Sequence, residues 1–136
     1  IISKAKIPED FVILRDRWYD DSQNFGVKAW GVFDGTQGSG NNYNITGFSG
    51  GGVSSIERIS TGIFKVTFTN PAPHANYSVS GSANPKNHSG SYFGVVHGSG
   101  SLNATTTYFH IELRDNVHGA GNAVSNSDKI SFQVVY

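Results

Sequence analysis

The sequence predicts an all-β fold, an antiparallel β-sandwich, from three observations. Large apolar residues alternate with polar ones in short segments, most clearly from Phe64 to Phe68, which is the period of a strand with one face on a core. Turn-forming residues separate these segments at intervals of roughly ten residues. Glycine alone supplies 17 of the 136 residues, a composition that favours turns and exposed strands over helices. We therefore expect seven or eight antiparallel strands around one core.

The chain from Gly62 to Ala83 predicts two half-buried strands joined by a proline-containing loop. Apolar side chains from Phe64 to Phe68 should point inward. The segment 70–73 contains two prolines, which remove two backbone donors and fix φ twice, so the first strand must end there. Alternation resumes at Tyr77 and continues through Val79. This unit is the centre of the predicted domain.

The first 26 residues predict a separate segment, because nearly half of the charged residues lie in the first 21 positions. Pro8 to Asp10 is typical of a helix start, with Phe11, Leu14 and Trp18 on one stripe. An extended arm packing on another subunit and a peripheral element covering one end of the sandwich are equally open alternatives. The chain contains no methionine, so we expect it to be a processed part of a longer polypeptide. The predicted organisation is an arm or helix over 1–26 and a β-sandwich domain over 27–136.

The remaining strands follow in order after residue 26. Strands are predicted over 27–33, 43–48, 91–97, 105–113 and 130–136, and residues 53–59 lead into the turn at Thr61 and Gly62. A long polar loop is predicted from Asp115 to Asp128. We expect Trp30 and Phe33 to be packing residues, because large aromatics beside a strand normally supply buried area. The predicted core consists of Phe64, Val66, Phe68, Val79, Phe109, Ile111, Phe132 and Val134.

Composition and charge exclude several classes of function. There is no cysteine, so no disulfide framework, thiolate metal site or cysteine nucleophile can form. Lys and Arg balance Asp and Glu at ten each, which leaves no electrostatic footprint for nucleic acid or an anionic membrane. The longest apolar run, residues 11–14, is far too short to span a membrane. We expect neither nucleic acid nor membrane insertion.

Three motifs follow one another between residues 28 and 83. They are KAWGVFDGT at 28–36, IERISTGIFKVTF at 56–68 and PHANYSVSGSA at 73–83. In this order they resemble the C-terminal module of bacteriophage tail fibres, whereas the likeness beyond Asn84 is general. The resemblance implies a small β-rich knob at the fibre tip of the virion, a homotrimer that continues the fibre and touches the host surface. It implies no catalytic residues and no cofactor.

The loops of the C-terminal half are the predicted recognition surface, whereas the motif-bearing residues 28–83 are predicted to be scaffold. Residues 84–90, 98–104 and 114–128 are polar and weakly patterned, so they can change without removing core contacts. Stacking faces and neutral hydrogen-bonding groups in these loops and nearby strands suit a receptor. The candidate receptor-binding residues are Tyr43, His88, Tyr92, His97, Asn116, His118 and Asn122.

A metal site is a weaker hypothesis. His110 and Glu112 are two residues apart on a predicted strand, so both project from one face. Two ligands do not complete a site, and solvent-facing alternation explains the pair better. A trimer axis that gathers three copies of one histidine around an ion is a further open alternative.

Two classes of function remain, with binding favoured over catalysis. The first is non-enzymatic host attachment, in which loops bind a cell-surface glycan or an outer-membrane protein. The second is a surface-polysaccharide hydrolase, which needs paired carboxylates. Outside the first segment the only carboxylates are Asp34, Glu57, Glu112, Asp115 and Asp128. Of these, Asp34 and Asp128 are predicted turn residues. A purely structural trimerisation tip is compatible with attachment.

Overall fold

The computed structural model describes residues 26–38, 40–84, 91–96, 102–115, 123–124 and 127–136, with 91–96, 115, 123 and 124 described by their backbone. Ten strands lie within these ranges, and no helix does. None of the described residues forms a helix long and apolar enough to cross a membrane. The helix or arm predicted over 1–26 falls almost entirely outside the described residues. The strands are β1 (Val27–Phe33), β2 (Tyr43–Asn44), β3 (Ser49–Gly51), β4 (Val53–Ser60), β5 (Ile63–Phe68), β6 (Ser78–Ala83), β7 (Ser91–Val96), β8 (Tyr108–Asp115), β9 (Ala123–Val124) and β10 (Ile130–Val135).

The strands form two antiparallel sheets, so the predicted all-β class is confirmed. The four-stranded sheet has the order β3-β1-β10-β6. The six-stranded sheet has the order β2-β4-β5-β8-β7, and β9 pairs with β8. Within the four-stranded sheet, Ala29, Gly31 and Phe33 of β1 lie opposite Val134, Phe132 and Ile130 of β10.

Aromatic rings from both sheets meet in one core. The rings of Phe33 on β1 and Phe64 on β5 lie 5.1 Å apart between centroids, and those of Phe109 on β8 and Phe132 on β10 lie 5.5 Å apart, both edge to face. Edge-to-face pairs at this spacing are favourable beyond the area that they bury. The inner faces of the two sheets therefore pack against each other in a sandwich-like arrangement.

Seven of the eight predicted core residues are buried, and Val79 is the exception. Val79 faces inward opposite Val134, but it stays partly exposed because β6 is the edge strand of its sheet. Trp30 and Phe33 are both predicted to be packing residues that supply buried area, and for Trp30 this prediction is wrong. Its side chain is 46% exposed, whereas that of Phe33 is buried as expected.

The turn after β1 is closed tightly against the core. The Asp34 carboxylate accepts hydrogen bonds from the backbone N–H of Thr36, at 2.8 Å, and from its hydroxyl, at 2.6 Å. Gly35 donates its N–H to the carbonyl of Ser127 at 2.8 Å. A Cβ at Gly35 would lie 2.7 Å from carbon atoms of Phe64 and Ile130, so only glycine fits between them. The predicted turn at Asp34 is thus confirmed. Both the hydrogen bonds of Asp34 and the close packing at Gly35 stabilise it.

Two predicted segments differ in detail. The expected strand over 43–48 is only two residues long. Ser49–Gly51 forms β3 in the other sheet, where Gly50 and Gly51 pair with β1. The expected loop from Asp115 to Asp128 contains β9, which pairs with Arg114 and Asp115. Both strands are too short, and too poor in bulky residues, for alternation to identify them.

Candidate functional site

The outer face of the four-stranded sheet carries two rows of side chains that run across three strands. Trp30, Gln133 and Ser80 lie opposite one another on β1, β10 and β6. Val32, Ser131 and Ser82 form the second row, two residues further along each strand. Because strands are about 4.8 Å apart and two residues span about 7 Å, the rows cover roughly 10 Å by 7 Å.

Between and around these rows lies an open groove of about 630 Å³. We call it the outer-face groove. None of the described residues that line it is acidic, basic or histidine. Its character is therefore neutral, with apolar surface at one side and hydroxyl and amide groups at the other. The side chains that line it are Val27, Trp30, Val32, Ser80, Ser82, Ser131 and Gln133.

Trp30 is held in place by the neighbouring edge strand. It pairs with Gly51 of β3, and a Cβ added at Gly51 would lie 2.7 Å from the indole Nε1 and 3.3 Å from Cδ1. The five-membered ring of the indole therefore lies directly over Gly51, in space that any larger residue would occupy. The indole thus occupies space that a side chain at residue 51 would fill, and almost half of the Trp30 side chain stays in solvent.

Exposed apolar side chains of the described residues gather on this same face. The large ones are Val27, Trp30 and Val135, at 49%, 46% and 41% exposure. Val27 and Val135 lie opposite each other on β1 and β10. Scattered exposed apolar residues need no explanation, but clustering beside a groove marks a candidate interaction site.

Sequence reasoning missed this site, although one signal was present. Trp30 and Phe33 are an odd number of residues apart on one strand, so regular alternation cannot place both in the core. Phe33 shares its face with Gly31 and Ala29, which leaves Trp30 on the other side. Ser80, Ser131 and Gln133 gave no signal of their own, because serine and glutamine are ordinary residues for a solvated strand face.

The outer face of the six-stranded sheet is charged by contrast. Lys65 of β5 pairs with His110 of β8, and its Nζ lies 4.3 Å from the centre of the Tyr108 ring. Glu112 contacts Arg114 in an ion pair on the same strand. Such exposed pairs contribute little stability, so this face is suited to solvation.

His110 was expected to face solvent, and that expectation is wrong. Its side chain is only 2% exposed, because the residues before β8 fold over it and its Nδ1 lies 3.3 Å from the carbonyl oxygen of Asn103. Burial lowers the pKa of His110, and the positive charge of Lys65 lowers it further, against the hydrogen bonds to Asn103 and Leu102 that raise it.

His110 and Glu112, the weak candidates for a metal site, lie on the same face of β8, as their spacing predicts. Each side chain, however, already has a partner in the protein. His110 turns its Nδ1 to the Asn103 carbonyl, and Glu112 turns to Arg114. Within the ranges that the structure describes, no group of three or more His, Cys, Asp or Glu side chains is close enough to hold a metal ion.

Tyr43 is the predicted receptor-binding residue whose surroundings are best defined. It is half-buried at the edge of the six-stranded sheet, opposite Arg58, whose guanidinium carbon lies 5.6 Å from the ring centre. A Cβ at Gly38 would fall within 2.5 Å of the ring, so the backbone there packs closely on Tyr43 as well. Arg58 is itself buried and donates from Nε and Nη2 to the carbonyl of Gly40. Much of the Tyr43 ring surface is therefore already in contact with the protein.

Tyr92 lies in β7 opposite Arg114, and the other predicted receptor-binding residues fall outside the described residues. The flanking strands nevertheless show where their loops are anchored. Ser91, the first residue of β7, pairs with Asp115, the last residue of β8. Val96 pairs with His110 at the opposite end of the same two strands. The residues outside the description are His88, His97, Asn116, His118 and Asn122.

Among the described residues that line the outer-face groove, none carries a carboxylate of the kind that glycoside hydrolysis needs. Asp34 serves the turn after β1, Glu112 pairs with Arg114, and Asp128 accepts a hydrogen bond from the Asn84 side chain at 3.2 Å. An acid and a base must flank one bond to act together. The groove is thus equipped for binding by stacking and hydrogen bonds.

Comparison with protein-family models, curated proteins and solved structures finds no match for this chain.

Proposed function

We propose that this chain is a non-enzymatic attachment module that binds a glycan or an outer-membrane protein on the surface of a host cell. The supporting observation is the outer-face groove, where an indole held over Gly51 stands beside neutral hydrogen-bonding side chains. Grooves that combine an aromatic surface with a few polar groups are typical of binding sites. The lack of carboxylates at the groove favours binding over polysaccharide hydrolysis.

The resemblance of residues 28–83 to the C-terminal module of phage tail fibres supports a position at the distal end of such a fibre. We propose that it is the trimeric β-sandwich knob at the distal tip of a tail fibre, and that the loops of the C-terminal half add contacts to the receptor. A knob without catalysis that holds a virion on its host requires a stable scaffold and an accessible binding surface.

A whole-cell binding experiment tests the attachment role. The labelled chain is added to a panel of bacterial strains, and the purified surface polysaccharide of each bound strain is then incubated with the protein. We expect saturable binding to at least one strain and no release of new reducing ends. Failure to bind any strain at micromolar concentration, or steady release of reducing ends, would contradict the proposal.

The trimer has its own test. A closed cyclic assembly buries sheet edges that otherwise invite strand pairing with other molecules. We expect sedimentation equilibrium at micromolar concentration to give three times the chain mass of 14.6 kDa. A mass of one chain over the same concentration range would argue against a trimeric knob.

A further inference from the structure

We infer that the outer-face groove binds a neutral saccharide and that the Trp30 indole is its stacking platform. The inference rests on the proposed function only for the source of the saccharide. Its chemistry depends on the groove itself, which is built from described residues of β1, β6 and β10.

The indole meets the first requirement of a sugar site. The C–H faces of a sugar ring are apolar and pack on the flat, electron-rich face of an aromatic ring. Trp30 offers such a surface while Gly51 fixes its position from beneath. An indole that is already positioned loses little conformational entropy on binding, which favours affinity.

The hydrogen-bonding groups meet the second requirement. Gln133 and Ser80 continue the row that starts at Trp30, so a ring stacked on the indole could extend over an amide and a hydroxyl. Both groups donate and accept hydrogen bonds, as sugar hydroxyls do. The hydroxyl groups of Ser82 and Ser131 form a hydrogen bond with 2.8 Å between their Oγ atoms, and both oxygen atoms retain lone pairs for a ligand.

Charge selects the class of saccharide. Among the described residues, no Lys, Arg or His lines the groove to pair with the carboxylate of a sialic or uronic acid. Burying an unpaired carboxylate against Trp30 and Val32 would cost free energy. A neutral hexose or N-acetylhexosamine carries no such penalty. Lys65 and Arg114 lie on the other sheet. Lys28 lies on β1 and Lys129 lines an adjoining pocket with Ser82 and Ser131, but neither lysine lines the groove.

The amount of exposed apolar surface favours a small ligand over a second copy of this chain. An aromatic side chain covers at most about 150–250 Å². Trp30, Val27 and Val135 are each about half exposed, so together they offer far less than the apolar part of a standard interface, which buries roughly 800 Å² on each partner. The footprint of the two rows, about 10 Å by 7 Å, suits a short oligosaccharide.

Titration with defined oligosaccharides tests the inference on the full chain. The probes are neutral hexose and N-acetylhexosamine tetrasaccharides and, at equal length, uronic acid tetramers. In a Trp18→Phe background the fluorescence reports on Trp30 alone, because the chain has two tryptophans. We expect a neutral tetrasaccharide to shift the emission saturably, and the uronic acid tetramers to bind at least about tenfold more weakly.

Variants then locate the site. Trp30→Ala and Gly51→Ala should each weaken neutral-sugar binding, measured by calorimetry, by about tenfold or more, the second because its Cβ displaces the indole. Ser49→Ala is the matched control, since Ser49 is exposed on the same sheet and does not line the groove. Thermal midpoints of all three variants should stay close to that of the parent, because the residues changed lie on the surface.

Each other outcome overturns the inference in a distinct way. Tighter binding of the acidic tetramers, or full binding by Trp30→Ala, would refute a neutral Trp30 site. A lower sedimentation mass for Trp30→Ala would assign the face to contacts between copies. Cell attachment without binding of any neutral tetrasaccharide would refute the inference and leave the attachment role in place. Neutral-sugar binding through Trp30 without cell attachment would support the inference and contradict the attachment role.

Discussion

The hydroxyl of Tyr77 lies 2.8 Å from the carbonyl oxygen of Thr105 and 3.0 Å from that of Tyr108. It thereby joins the segment after the two prolines to the segment that enters β8. The ring of Tyr77 packs edge to face on Phe68 at 5.4 Å, so the residue is buried at both ends. The partner that a buried tyrosine hydroxyl requires is structural in this protein, one of the alternatives open from the sequence.

Tyr77→Phe should lower the free energy of unfolding by about 1 kcal/mol at neutral pH, because the variant loses a buried hydrogen bond and keeps the ring. Burial raises the pKa of Tyr77 to about 12. Above pH 10 the unfolded chain releases this proton before the folded chain does, so stability falls as pH rises from 10 towards 12. Urea denaturation at pH 8 and pH 11 checks both effects. The difference between parent and variant should shrink at pH 11, and an unchanged difference would contradict the role of burial.

His110 should make stability depend on pH in the opposite direction. Its pKa is lowered in the folded protein, chiefly by burial, so the unfolded state binds more protons below about pH 6.5. Stability should therefore be complete above that pH and decrease as pH falls towards 5. Charged groups near the imidazole are Lys65, which opposes protonation, and Glu112 on the same strand.

The matched variant for this test is His110→Asn, whose amide nitrogen can replace Nδ1 as donor to Asn103. Thermal midpoints at pH 7.5 and pH 5 give the comparison between two proteins that differ only at this position. The variant should lose less stability on acidification than the parent. Equal losses would mean that His110 is accessible to protons in the folded state.

Gly35→Ala should destabilise the fold by about 1–3 kcal/mol, the usual cost of overpacking. The added methyl group would meet Phe64 and Ile130 from opposite sides and the Ser127 carbonyl at 2.9 Å. None of these neighbours is the free end of a flexible surface side chain, so relief requires movement of the core or of the backbone. The midpoint of urea denaturation measures the loss, and an unchanged midpoint would show that the turn is looser than described.

Combined replacement of His88, Tyr92 and His118 by Ala should abolish attachment to host cells with little change in thermal midpoint. The prediction follows from the sequence, in which these residues lie in polar, weakly patterned segments or next to them. Attachment that survives this change but is lost in Trp30→Ala would place recognition on the sheet face alone.

The long strands were predictable because alternation over five or more residues leaves only one register with a continuous core. Phe64, Val66 and Phe68 are the clearest case, and Phe109 and Ile111 repeat it on the paired strand. Segments as short as Tyr43–Asn44 or Ala123–Val124 carry no such period. Their pairing depends on neighbours that are distant in sequence.

The candidate site was less predictable than the fold. Residue type predicts Trp30 to be a packing residue, although its odd spacing from Phe33 indicates the opposite face of the strand. His110 was assigned to solvent on parity, which placed it on the correct face, but a segment that covers this face cannot be read from alternation. Side chains on a strand face acquire a function through what lies over or beside them, and Gly51 beside Trp30 is visible only in three dimensions.

The position of β10 has a consequence for how the protein forms during synthesis. β10 is an inner strand of its sheet, between β1 and β6, yet it leaves the ribosome after both of these partners. The hairpin of β4 and β5 can form from local contacts as soon as it emerges, whereas β1 must wait about a hundred residues for its main partner. Until then the edges of β1 and β6 that face each other are open to other chains. A nascent chain stalled before Ile130 is thus the species most exposed to aggregation. Once β10 emerges, it pairs with β1 and β6 and covers both open edges.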